Sequence, residues 1–330
     1  MKFKWFVGID ISKKTLDVTL FDKGGLKKSK HVVVNNNLKG FKDLEKWIKK
    51  WIPVFSELLI CMEHTGVYGN DLSVFLDGKG ISFSMVSPLH IKRSLGLTRG
   101  KSDKVDSFQI ARFCYLHREE LKLSKLPLVT IKKLRGLINE RERIVKMQTT
   151  EKIVLKELKI QNSSTTIERI KIRLSIFARD IALIEREMKQ VIKNEDVVFN
   201  NYLLVRSIIG IGLVNSILFI IYSNNFQGFD NARKYACYSG IAPFENTSGT
   251  SIRGKTRVSH LANKRLKANL SNAARSAIQN DPELRKYYDR KAKEGKDHGI
   301  IMNAVKFKLV TRVFAVVKRG TPFVKMRQAG

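Results

Sequence analysis

Four acidic residues in the first third of the chain are the ones whose settings could support chemistry. Asp10 lies in Val7-Gly8-Ile9-Asp10-Ile11-Ser12, and Glu63 lies in Cys61-Met62-Glu63-His64-Thr65-Gly66. Asp103 and Asp106 share the run Lys101-Ser102-Asp103-Lys104-Val105-Asp106. They stand in a chain of 330 residues with 62 Lys+Arg against 30 Asp+Glu, a formal charge of +32. Carboxylates held together repel one another unless a hard cation neutralises them, and Mg²⁺ takes oxygen ligands in an octahedral shell. A Mg²⁺-binding acidic pocket inside a protein that attracts polyanions points to phosphodiester chemistry on nucleic acid.

The elements around these residues are legible from periodicity. Trp5 to Ile11 is apolar and β-prone, Leu16 to Phe21 alternates, and Lys30 to Val34 ends in three asparagines, which together predict a three-strand meander. Phe41, Leu44, Trp47, Ile48 and Trp51 recur at helical spacing up to Pro53, and both tryptophans are read as core rather than as base-stacking surfaces. Glu57 to Met62 reads as a buried strand running into Glu63. A short helix over Asp71 to Asp77, a strand over Ile81 to Val86 and a longer helix from Ser102 to His117 follow. The order βββαβαβα predicts a mixed α/β fold with parallel strands after the meander. In a ribonuclease-H-like strand order Asp10 and Glu63 end neighbouring strands, and Asp103 and Asp106 share one helix face. Taken singly each has a plain structural reading as a turn, surface or helix-start residue; Asp17, Asp22, Asp71 and Asp77 are read only that way.

Beyond Pro127 the composition changes. Ile131 to Ile192 contains no proline and one glycine, Gly136, which predicts two long antiparallel helices joined near Gln161 to Thr166. Leu203 to Ser223 is an apolar pair of segments bent at Gly210-Ile211-Gly212, followed by a Gly/Ser/Thr-containing stretch and then helices to the end. From Ser251 to Gly330 there are 20 Lys+Arg and 5 Asp+Glu, a net +15 of the total +32. No apolar run reaches the ~20 residues a bilayer needs, and the N-terminus reads as a strand rather than a signal peptide. Cys61, Cys114 and Cys237 show no CxxC pairing, so neither a disulfide framework nor a zinc site is expected, and a cytoplasmic setting is.

The segments GIDISK, EHTGVYG and GKSDKVDS, in this order and spacing, resemble the DEDD transposases of bridge-RNA-guided insertion sequences, the IS-one-ten family. RSIIGIGLVNS and YACYSGIAPFENTSGTSIRGKTRVSHLANKRLKANLSNAAR resemble the family's C-terminal transposase domain. Ser107 stands where the family usually has alanine. The resemblance implies a RuvC-like, RNase H-like α/β domain over residues 1–125, a long-helix coiled-coil segment over 126–200, and a mainly α transposase domain over 201–330. It also implies Asp10, Glu63, Asp103 and Asp106 as Mg²⁺ ligands. DNA, both donor and target, is the implied substrate, with a structured non-coding RNA as guide and a homo-oligomer, dimer or tetramer, as the active form.

Ser248 precedes Gly249 and a basic loop with Arg253, Lys255 and Arg257. Glycine beside serine permits close approach of a phosphate, and the cations would stabilise charge developing on phosphorus, although spacing alone reads Ser-Gly as a turn. By resemblance Ser248 aligns with a serine that attacks DNA and forms a phosphoserine link. No histidine adjoins it, so the resemblance leaves its activation to the metal or its bound water. Gly210 and Gly212 fit either a helix–hairpin–helix turn facing a phosphate or tight helix packing. Lys264, Arg265, Lys267 and Arg275 recur on a helix suited to tracking a phosphate backbone. Three other functions compete: a resolvase or nuclease using water as nucleophile, a binding protein using charge alone, and an actin-like kinase. The kinase would need a second phosphate-binding loop, which is not found.

Overall fold

A computed structural model describes residues 3–22, 29–52, 54–64, 66–96, 102–160, 164–248 and 252–324. The chain divides into two compact units, Met1–Leu126 and Pro127–Gly330, with the break at the proline singled out above.

In the first unit, β1 (Trp5–Ile11), β2 (Thr15–Asp22) and β3 (Lys30–Asn35) form the antiparallel meander. β4 (Leu58–Glu63) and β5 (Ser82–Val86) add to β1 in parallel, giving the sheet order β3-β2-β1-β4-β5. The crossovers carry α1 (Leu38–Lys49) and α2 (Asn70–Gly78). α3 (Pro88–Ser94), too short to show a period in the sequence, precedes α4 (Asp103–Leu116). Strand alternation sorts the side chains. Val7, Ile9 and Ile11 with Leu16, Val18 and Leu20 meet α1 and α2 on one face. On the other face Phe6, Phe21, Leu59 and Cys61 meet Ile110, Phe113 and Cys114 of α4. Trp47 packs against the first core, as its spacing suggests. Trp51 does not: it is 39% exposed, with Lys30 Nζ 3.2 Å from its ring centroid.

One contact governs how α4 seats on the sheet. A Cβ at Gly8 would lie 2.1 Å from the backbone nitrogen of Ala111 and 2.4 Å from the carbonyl oxygen of Ser107. Only a glycine in the central strand allows the helix backbone this near. Ser107, fully buried beside that contact, shares a 2.8 Å hydroxyl–hydroxyl hydrogen bond with Thr19 of β2 and donates another to the Lys104 carbonyl. The serine that replaces the family's usual alanine is therefore matched by a strand hydroxyl.

The second unit begins with α5 (Val129–Ile160) and α6 (Ser164–Lys193), the two long helices, which pack along each other. α7 (Asp196–Arg206) and α8 (Leu213–Ser223) flank the Gly210-Ile211-Gly212 bend, and α9 (Ala232–Tyr238) follows. The Gly/Ser/Thr stretch is not a loop throughout. It forms a hairpin of β6 (Pro243–Ser248) and β7 (Ile252–Val258), whose β-branched residues sit in a stretch too polar to advertise strands. α10 (Lys264–Asn280), α11 (Pro282–Lys293) and α12 (His298–Arg319) complete a mainly helical region. The starts of α5 and the end of α6 share a hydrophobic core with α8, α10 and α12.

Gly8→Ala is expected to destabilise the chain by at least ~3 kcal/mol, because the methyl meets backbone rather than a side chain that can swing away. Denaturant unfolding measures it; a loss under ~1 kcal/mol would show that α4 can lift off without consequence.

Candidate active site

Asp10 is the penultimate residue of β1, and Glu63 is the last residue of β4. The parallel register runs to Ile9 opposite Met62, so the next step along it sets Asp10 and Glu63 side by side. Asp10 follows Phe6 and Gly8 on the face covered by α4. α4 brings Asp103 and Asp106 there in its first turn, started by Ser102, whose hydroxyl accepts the Val105 amide at 3.3 Å. The Gly8 contact lies one turn further along the same helix, so this close approach also holds the two aspartates over the end of β1.

Carboxylate oxygens of Asp10, Asp103 and Asp106 lie within 4.8 Å of one another. Glu63 stands outside that trio but close enough for its charge to act on Asp10 and to feel Asp106. Burial, then Asp106, Glu63, Asp103 and Asp17, push the Asp10 carboxyl up from 3.8 to about 6. Burial and Asp106 raise Glu63 as well. The donor set suits Mg²⁺: all oxygen, multiply anionic and partly exposed. In an octahedral shell with metal–oxygen bonds of ~2.1 Å neighbouring oxygens stand ~3 Å apart, so an ion held by all three groups would draw them closer than their 4.8 Å spread. Bound there, Mg²⁺ would stabilise negative charge on a reacting phosphate.

Asp17, read from sequence as a turn residue, is instead buried in β2 directly across from Asp10 and hydrogen-bonded to His31 Nε2 at 3.1 Å. The alternation Leu16-Asp17-Val18-Thr19-Leu20 carries the signal that places it on the Asp10 face. Residues 97–101 and Thr65, parts of two of the motifs, lie outside the described residues.

In the second unit, Ser248 ends β6 opposite Ile252, and Arg253 pairs with Thr247. The side chains of Ser248, Arg253 and Lys255 lie outside the described residues; Arg257, opposite Phe244, is exposed. Gly210 adopts φ 91°, and a Cβ there would meet Ala277 Cβ at 2.6 Å and the Ala273 carbonyl at 2.7 Å. That geometry is tight packing against α10. Gly212 caps α8, and a Cβ there would meet Arg206 Nη1 at 3.8 Å, an ordinary contact. On α10, Lys264 is exposed and Lys267 half-buried. Arg265 turns inward: its guanidinium donates to Glu142 at 2.6 Å and Asn139 at 2.7 Å on α5, so it braces the long helix rather than facing outward.

A parallel-containing five-stranded sheet of this order, with carboxylates converging from β1 and from a helix packed on it, is an RNase H-like catalytic domain. Residues 7–158 match a DEDD transposase model of the IS110 type, described as "Transposase", and residues 202–289 match "Transposase IS116/IS110/IS902 family". The pilin gene-inverting proteins of Moraxella bovis and Moraxella lacunata are each 27% identical over 326 residues, covering 98% of this chain and 98% of theirs. An insertion element IS110 uncharacterized 43.6 kDa protein of Streptomyces coelicolor is 28% identical over 127 residues, covering 38% of this chain and 31% of its own. The chain is thus a transposase-like protein of the IS110/IS116/IS902 family with an RNase H-like N-terminal domain. It is a metal-dependent enzyme that acts on DNA through the carboxylate cluster. No helix among the described residues is long and apolar enough to cross a membrane.

The raised Asp10 sets a pH dependence. An unfolded Asp10 ionises near 3.8 and the folded one near 6, so in divalent-free buffer its contribution to stability falls as pH rises through that window. Mg²⁺ should therefore raise Tm clearly at pH 8 and little at pH 5. Asp106→Asn should raise the metal-free Tm at pH 8 and remove both the Mg²⁺ response and DNA cleavage, while sparing DNA binding. Equal Mg²⁺ shifts in wild type and Asp106→Asn would take the metal away from this cluster. Arg265→Ala is expected to lower Tm while leaving the salt dependence of DNA binding unchanged. A flattened salt slope with unchanged Tm would return Arg265 to the nucleic-acid surface.

Proposed function

We propose that the chain is an insertion-sequence recombinase that cuts and rejoins DNA through a phosphoserine intermediate at Ser248. The observation that carries the reading is the Asp10–Asp103–Asp106 cluster in a chain matched end to end by proteins named for inverting a gene. Inversion has to rejoin every strand it breaks. Water as nucleophile would release the phosphodiester as a hydrolysed end, whereas a serine ester keeps a phosphorus–oxygen bond that the new hydroxyl can attack.

In this reading Ser248 Oγ attacks the scissile phosphorus, the Oγ–P bond forms, and the sugar oxygen leaves with a proton. Attack of a second strand's hydroxyl on the same phosphorus then restores the serine. Asp10, Glu63, Asp103 and Asp106 hold Mg²⁺. Arg253, Lys255 and Arg257, on the strand paired with the serine strand, are suited to the charge that develops on phosphorus. Lys264 and Lys267, with the N-terminal turn of α8 at Gly212, are suited to the phosphate backbone. Choice of site by a structured non-coding RNA, and completion of the active site between subunits of an oligomer, follow from the family likeness. The excess of positive charge leaves room for both nucleic acids.

The adduct tests it. Stalled reactions on a supercoiled donor should contain protein covalently joined to DNA, mapping by mass spectrometry to the peptide that includes Ser248. Ser248→Ala should lose the adduct and at least ~10³-fold in strand exchange with Mg²⁺ binding unchanged, while Ser259→Ala stays active. Normal cleavage by Ser248→Ala without any adduct would make the enzyme a hydrolytic resolvase.

A further inference from the structure

The second unit holds a cavity of about 820 Å³ between the base of the β6–β7 hairpin and α12, with Lys306 and Lys267 on its wall. Lys306 is only 8% exposed. Among the described residues neither lysine side chain has an ion pair or hydrogen bond, and Lys267 and Arg275 are the charges acting on Lys306. Arg233 adds a further cation at the rim. Asp297 also lines the cavity, but its carboxylate accepts the Gly299 amide at 2.7 Å as the cap of α12. A largely buried lysine whose ammonium faces like charges is unfavourable, and in a domain with no need of it a methionine or leucine would pack better. The rest of the wall is mostly apolar, with Thr256 and Asn303 as its polar members, and includes Pro243, Ile300 and Phe307, the last 38% exposed.

We propose that this cavity binds one unpaired nucleotide of a nucleic-acid strand, its phosphate against Lys306 and Lys267 and its base against Phe307, Ile300 and Pro243. Three observations converge on that ligand. An unpaired cationic pair calls for a compact, multiply charged anion, which phosphate is. A concave, mostly apolar wall calls for a flat hydrophobic group on the same molecule, and base–aromatic contacts of this kind are worth ~1–3 kcal/mol each. A base inside the cavity cannot also be stacked in a duplex, so the nucleotide is an extruded or single-stranded one. The cavity is not the place where strands are cut. Pro243 on its wall opens β6, and Ser248 closes that strand five residues on, about 17 Å away. The cavity therefore holds a nucleotide apart from the scissile one and anchors the strand. The binding inference rests on the reading of the chain as a nucleic-acid enzyme; only the placement of this nucleotide apart from the scissile one rests on the serine chemistry.

Fluorescent dT₆ and a fluorescent 30-base-pair duplex, each titrated with the full chain at several salt concentrations, test it. Lys306→Met should weaken dT₆ binding by ~10- to 100-fold and reduce its salt slope by about 0.7, with duplex affinity unchanged. Without ligand the same variant should melt at higher temperature than wild type, which a merely structural lysine would not give. Phe307→Ala, at an exposed position that leaves the fold intact, should also weaken dT₆. A 5-iododeoxyuridine in the hexamer should crosslink within residues 297–307. Thymidine 3′,5′-bisphosphate should raise the wild-type Tm well above the effect of inorganic phosphate. Equal effects of those two ligands would reduce the site to a simple anion hole and overturn the proposal. So would unchanged dT₆ affinity in both variants, or a crosslink mapping elsewhere. In those cases retained duplex binding would leave the nucleic-acid reading standing, whereas a wild-type chain that bound neither probe would remove both.

Discussion

The approach of α4 to the central strand at Gly8 is the constraint on which the catalytic unit depends. The helix backbone touches the strand backbone there, with Ala111 and Ser107 occupying the space a side chain would take. This one contact sets the height of α4 over the sheet and thereby the distance from Asp106 and Asp103 to Asp10. Nothing among the carboxylates themselves would bring them together; burial first, and then their mutual charges, push the Asp10 carboxyl up. The assembly is driven by burial of Phe6, Phe21, Ile110, Phe113 and Cys114 between helix and sheet, and the acidic end is carried along with it. The Ser107–Thr19 hydrogen bond pins the same interface from the polar side.

Two clusters of like charge result, one in each unit, and they have opposite signs. Acidic groups crowd the end of β1, and Lys306 and Lys267 share the wall of the cavity beside α12, with the Arg275 charge acting on Lys306. Each costs the free chain stability, and each would be relieved by a counter-ion of a different kind, a hard cation in one and, on the proposal above, a phosphate in the other. A protein whose work is to bring Mg²⁺ and a phosphodiester together has reason to keep both clusters uncompensated until those partners arrive. Strain of this sort at working sites is the usual exception to otherwise consistent packing.

The hairpin of β6 and β7 and the inward turn of Arg265 change how the basic half is understood. Positive charge in the last quarter of the chain is not one continuous nucleic-acid surface. Arg265 joins α10 to the long helix α5 through Glu142, and Gly210 lets the bend before α8 close onto Ala273 and Ala277. Both residues fit the structural duties of a helical core better than contact with phosphate. The strands holding Ser248 and the basic residues of β7 give that segment a defined register in place of an open loop.

The sequence by itself determined the strands of the first sheet, most helices and the places of the four acidic residues along them, because each rests on local physics. Period-two and helical alternation, a proline stop and a capped helix start are all written within a few residues. That Asp10 and Glu63 end adjacent strands was legible only through an RNase H-like strand order, since element order alone leaves strand neighbours open. Only the tertiary structure decided that Asp10, Asp103 and Asp106 form the close trio while Glu63 stands slightly apart, because that depends on how deeply α4 seats at Gly8. The same holds for Asp17, whose polar side chain in a strand looks like an edge or turn residue until β1 lies across from it. Lys306 was invisible for a like reason. One lysine among 62 basic residues carries no local mark of being buried, and its burial exists only once α12 packs against α10.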